Sequence, residues 1–193
     1  MVRPRFSRKV SAHVIGGALA LVVGLGFAGS ALAVNTVSTS VVGGTRTASI
    51  ADSVLGAVPY SHFDTARSGL LVLSADDSSG TNAGWNVTVL AGNFAYSGSY
   101  GGSAIPNSNF TLDTAADPIR FAGQGVSLAQ GPKVPSTLTP PQTLDAPRKV
   151  VQANAGHGKG SYTQNLGVTL VVPGDSVEGT YTSTLTVTIS AAP

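Results

Sequence analysis

The 193-residue chain has no cysteine, only one methionine and one tryptophan, and few lysines or glutamates; charged residues make up 10% of it. Without cysteine there is no disulfide framework and no thiolate metal site, so burial and backbone pairing must hold the fold. The shortage of Lys and Glu removes common helix formers. No segment shows a convincing 3.6-residue apolar period. Histidine is nearly absent too: outside the first 33 residues only His62 and His157 remain. Neither has an acid or thiol at a spacing that marks a metal site or a triad. His62 and Asp64 stand two apart, which alone defines no geometry. His157 lies in the run Gly156-His157-Gly158-Lys159-Gly160, but the order of a phosphate-binding loop is missing and no dinucleotide fingerprint occurs. These gaps argue against an enzyme, and no cofactor and no metal is expected. Asp76, Asp77, Ser78, Ser79, Thr81 and Asn82 offer oxygen ligands, but their spacing fits no standard calcium loop and suits an ordinary turn.

What is present falls into two parts. Residues 1–33 read as a signal peptide. Arg3, Arg5, Arg8 and Lys9 precede an uncharged apolar run, Val14 to Phe27, and Ala31-Leu32-Ala33 supplies the small residues of a cleavage site. Val14 to Ala33 is about long enough to span a bilayer. Its glycines and its Ala-x-Ala end favour cleavage over anchoring, so contact with the membrane is expected only during export. All nine acids lie after residue 33 with seven cations, which gives residues 34–193 a net charge of −2. The basic isoelectric point thus belongs to the leader, and a nucleic-acid partner loses its support.

Abundant Gly, Ser, Thr, Val and Ala predict an all-β domain over residues 34–193, a β-sandwich of about eight to ten strands with Greek-key-like crossings. The clearest strand is Gly179 to Ser190. Tyr181, Ser183, Leu185, Val187 and Ile189 face one way, and Thr182, Thr184, Thr186, Thr188 and Ser190 face the other. Val34 to Gly44 reads as an edge strand, Ser49 to Val58 as a strand or short helix, and Pro59 to Gly69 as turn. Leu70 to Ser74 and Trp85 to Leu90 read as two arms of a hairpin joined by the polar run 75–84. Asn109 to Leu112, Ile119 to Ala122 and Lys149 to Ala153 are further strand candidates. The proline-rich stretch Ala129 to Pro147 reads as a long surface connection. Ser161 to Val172 carries Tyr162, Leu166, Val168, Leu170 and Val172 on one face and is expected to form a terminal hairpin with the closing strand.

Two segments, ADDSSGTNAGWNVTVLAGNF and LGVTLVVPGDSVEGTYTSTLTVTISAAP, resemble the WxL-domain family of bacterial cell-surface proteins. Gly84-Trp85, Val87 and Phe94 fit the first part of its pattern. Pro173, Gly179 to Thr182, Leu185, Thr186 and Ala192-Pro193 fit the second, and the glycines at 156–160 fit the lead-in. The first W-x-L position reads Trp85-Asn86-Val87. At the second, Val187-Thr188-Ile189, valine stands where the family has tryptophan. The resemblance implies non-covalent attachment to peptidoglycan or another wall glycan, and association with companion surface proteins. A structural subunit of a surface fibre or layer, assembling by edge-strand pairing, is the alternative. Candidate ligand contacts are Trp85, for stacking on a sugar ring, and Tyr96 and Tyr100 in a Gly/Ser-rich setting. The competing place for Trp85, with Val87 and Val89 on one apolar face, is the core.

Overall fold

The computed structural model describes residues 37–191, so the predicted leader lies outside the described residues. From Ser40 onwards the chain forms one compact unit. Its elements are almost entirely strands, as the composition predicts. β1 is Arg46–Ile50, β2 Thr65–Asp77, β3 Trp85–Ala91, β4 Ala95–Ser97, β5 Phe110–Ala115 and β6 Ile119–Gly123. β7 is Gln142–Thr143, β8 Arg148–Ala153, β9 Gly160–Val172, β10 Thr180–Thr182 and β11 Leu185–Ala191. A single 3-10 turn, Asn107–Asn109, precedes β5. Discounting β4, β7 and β10, which have three residues or fewer, eight substantial strands remain among the described residues.

The strands make a large sheet, a three-stranded sheet and a two-stranded ribbon. The large sheet runs β1-β2-β9-β5-β7, with β6 also on β9. Its spine is the antiparallel ladder of β2 and β9, in register from Thr65↔Val172 to Asp77↔Gly160. The three-stranded sheet runs β11-β3-β8, and the ribbon pairs β10 with β4. Period-two burial decides which side chains face inward. Leu71, Leu73, Ala75 and Asp77 of β2 are buried, as are Tyr162, Gln164, Leu166, Val168 and Leu170 of β9. Trp85, Val87, Val89 and Ala91 meet them from β3. Gln164 ties the two sheets together: its amide donates to the carbonyls of Ala116 (3.0 Å) and Val150 (2.9 Å). Phe94 and Phe110 pack edge to face, 5.2 Å apart.

Several expectations are corrected. Neither predicted hairpin forms. β2 and β3 lie in different sheets, and so do β9 and β11; the turns at 78–84 and 173–179 are arches between sheets. Both arms of each pair are apolar on one face, and facing each other across a core buries those faces better than lying side by side. Residues 37–44 form no strand, β1 ends at Ile50, and β2 begins at Thr65 within the stretch read as turn. The proline-rich connection is not confined to the surface: Pro132, Pro135, Leu138 and Leu144 are buried. An extended chain that cannot complete a ladder can still lay apolar side chains on a core. The closing alternation holds, with Tyr181, Leu185, Val187 and Ile189 half-buried and the threonines exposed, but the strand is interrupted at Ser183-Thr184.

Candidate functional site

The two motif strands lie side by side. β3 and β11 pair antiparallel with Val87 opposite Ile189, Val89 opposite Val187, and Trp85 opposite Ala191. Trp85, Val87 and Val89 are buried and Val187 and Ile189 half-buried, whereas Ala191 is exposed. Trp85 is 0% exposed. Its indole N–H donates to the carbonyl of Gly158 at 2.8 Å, and its ring packs against Tyr162, with centroids 6.0 Å apart. The indole therefore has no open face for a sugar, which corrects its candidacy as a ligand contact: alternation on an apolar strand placed it in the core. Gly158 makes this burial possible. Its φ of +79° is one that L side chains rarely adopt, and a Cβ there would stand 2.6 Å from the indole nitrogen. The glycine-rich run at 156–160 is a fitted lid on Trp85.

The two tyrosine candidates diverge. Tyr96 on β4 donates its hydroxyl to the Glu178 carbonyl (2.8 Å) and accepts from the Tyr100 N–H (3.1 Å). Its ring lies 5.4 Å from that of Tyr181. Tyr96 thus holds the β4–β10 ribbon to its flanking loops. Tyr100 is 65% exposed and keeps its ring open.

Sequence reasoning missed the outer face of the large sheet. There Ser74 and Asp76 of β2, Thr47 and Ser49 of β1, and Ser161 and Thr163 of β9 surround a shallow depression of about 350 Å³, with Phe121 of β6 at its side. Phe121 is 83% exposed. Asp76 accepts hydrogen bonds from Ser161 (2.5 Å) and Ser78 (2.6 Å), which fixes its carboxylate. β6 is exposed at every residue, so its aromatic has no core to fill. Next to Asp76 the alternation turns Asp77 inward. It pairs with Arg46 at 3.1 Å and accepts from the Ser79 N–H (3.1 Å) and hydroxyl (2.5 Å).

A second polar group sits where the arch 173–179 meets the start of β2. His62 Nδ1 lies 2.5 Å from Asp175 Oδ1, and the Tyr60 hydroxyl donates to the same oxygen at 3.0 Å. The His62 hydrogen bond, then that of Tyr60, holds the Asp175 carboxyl below the usual carboxylate range. The same bond raises the Tyr60 hydroxyl above its ordinary value. Asp64 accepts from the Gly174 N–H (2.9 Å), so it closes the loop and does not join His62. This group is an open surface clamp between two loops. Among the described residues no group of three or more His, Asp or Glu side chains gathers as a metal site.

The described residues form a sandwich of antiparallel sheets whose large sheet has a hydroxyl-rich outer face. The chain belongs to the WxL-domain family of surface cell-wall-binding proteins, whose family model matches residues 28–193. No curated protein and no solved structure matches it. Of the residues that carry the resemblance, Trp85, Val87 and Phe94 are buried, Tyr181, Leu185 and Val187 half-buried, and Gly179, Thr182 and Thr186 exposed.

Proposed function

We propose that the protein is exported, has no enzymatic role, and holds to the wall non-covalently through glycan contacts on the outer face of its large sheet. The observation that carries this reading is the depression beside Phe121. An aromatic ring suits the C–H face of a sugar, and the surrounding Thr, Ser and Asp76 groups supply the acceptors and donors that fix hydroxyls. Peptidoglycan is the glycan the family membership favours. Tyr100, whose ring is open, is a second contact. Companion surface proteins are further partners, and the predicted leader provides the route outward.

Retention on purified peptidoglycan sacculi tests this. The protein should stay with the pellet at low and high salt. Phe121→Ala should weaken retention about tenfold, the scale of a lost aromatic contact of ~1.4 kcal/mol, and leave thermal stability unchanged. Tyr100→Ala should give a smaller loss. Wild-type protein that remains in the supernatant would sink the reading; loss in Tyr100→Ala alone would move the site to the ribbon end.

A further inference from the structure

Between β1 and β2 the chain runs through residues 51–61 without regular structure. Among the described residues, 51–60 form no backbone–backbone hydrogen bond. This strap is held by side chains: the Ser53 hydroxyl donates to the Leu70 carbonyl (3.2 Å), Leu55 fills the space over Gly69, and Tyr60 reaches Asp175. Facing it is the Thr180–Thr184 stretch. β10 pairs with β4 on one edge only, so its other edge is open. The space between has a volume of about 1170 Å³; over the buried Leu71, Phe94, Phe110 and Leu170 its lining leaves Val54 and Phe63 exposed and Leu55, Val172, Tyr181 and Leu185 half-buried. Sites for small ligands usually measure about 300–1,000 Å³. An elongated slot with a backbone edge on each side and an apolar floor is shaped for an extended strand.

The same chain carries a strand without a ladder. Residues 37–42 (VSTSVV) are uncharged and mostly β-branched, yet Val37, Val41 and Val42 are 100%, 92% and 90% exposed. Such a segment should pair. It cannot lie along its own molecule's slot, which runs on from Leu71 and Ile50 away from Gly44. The chain is fixed at Gly44, whose N–H donates to the Ser78 carbonyl at 2.8 Å, at the far end of β2. Seven residues extend at most about 25 Å. Arg67, opposite Leu170 in the ladder, is eleven positions from Ser78, or roughly 36 Å along a strand.

We propose that residues 37–42 of one molecule insert as a strand into the slot of a second copy of this chain, between its residues 51–58 and Thr180–Thr184. Donor and acceptor are different surfaces, so the contact is heterologous. Repeated head to tail, it gives open chains of subunits unless the rotation closes a ring. The inserted valines would pack against Leu55, Val172 and Leu185, which are half-buried, and the segment's backbone would pair with the open edge of β10.

The test uses protein secreted by an expression host, its N-terminus read by mass spectrometry, in light scattering after size exclusion and in electron microscopy. Concentration-dependent oligomers or filaments are expected. Val41→Asp should reduce them to monomer without changing the melting temperature, because the Val41 side chain is exposed. Because the chain lacks cysteine, Val41→Cys and Thr182→Cys copies can be mixed with a short bis-maleimide linker, and only the mixture should give a cross-linked heterodimer. A peptide of sequence VNTVSTSVVGG should compete with assembly. A monomer at high concentration would overturn the proposal, as would oligomers indifferent to both Val41→Asp and the peptide. Retention on sacculi is read separately with Phe121→Ala, so either idea can fail alone.

Discussion

Gly158→Ala should destabilise the domain by about 2–4 kcal/mol. Holding an L residue in the left-handed region costs roughly 1–2 kcal/mol, and Gly158 sits at φ +79°. The added methyl would lie 2.5 Å from the Ala153 Cβ and 2.6 Å from the Trp85 indole nitrogen, an overpacking that costs ~1–3 kcal/mol. A less flexible unfolded chain returns about 0.4–1 kcal/mol. For a domain of this size the net effect lowers the melting temperature by about 5–15 °C. Urea titration followed by far-UV circular dichroism measures the global loss. Emission from Trp85, the sole tryptophan, reports the lid itself and should shift to the red. Trp85→Phe removes the crowded nitrogen and leaves the Gly158 carbonyl without its donor, a loss of about 1–3 kcal/mol. The double variant should therefore be more stable than the sum of the two losses by over ~0.5 kcal/mol. A Gly158→Ala protein within about 0.5 kcal/mol of wild type, with unshifted emission, would refute the view that this turn is fitted to the indole.

Two further outcomes follow from the polar groups. Asp77→Ala strands the mostly buried Arg46 guanidinium, which keeps only Thr81 (2.7 Å), and should cost about 3 kcal/mol by urea titration; a loss under ~0.5 kcal/mol would show that the pair contributes little. The Asp175 carboxyl is held low by His62 and then Tyr60, so its contribution is full above the unfolded value near ~3.9 and is lost as pH falls through the lower folded value. The Gly174 and Asp175 amide resonances should thus move only in strong acid, and Asp175→Asn, which tolerates the φ of +61°, should abolish that titration; an unchanged titration in the variant would contradict the assignment.

Faces were legible in the sequence, and neighbours were not. The alternation in Trp85 to Leu90 and in Gly179 to Ser190 correctly separates inward from outward side chains, because period two depends only on the strand itself. It cannot say which strand lies alongside. That choice is made across the whole chain, so β3 takes β11 and β8 as partners instead of the adjacent β2. The family signature shows the same limit. Trp85 and Phe94 mark the fold because they are buried in it, whereas the surface beside Phe121 combines residues from four strands and has no local pattern. Residues 37–42 look like a strand and lack one beside them, since composition sets a propensity and a partner must supply the ladder.

The arches between the sheets also govern how the domain comes into being. Among the described ladders, β1–β2 is the only pair of strands consecutive in the chain; Leu71 must find Leu166, 95 positions away. Distant pairing of this kind is slow, because closure entropy is spent before contacts return it. β9 and β11 come after every strand they pair with. Until they emerge, β2 has only its β1 arm and β3 has only β8, so neither sheet is complete. Closure of both sheets then waits on β9 and β11, and the two halves of the core form together instead of one after the other.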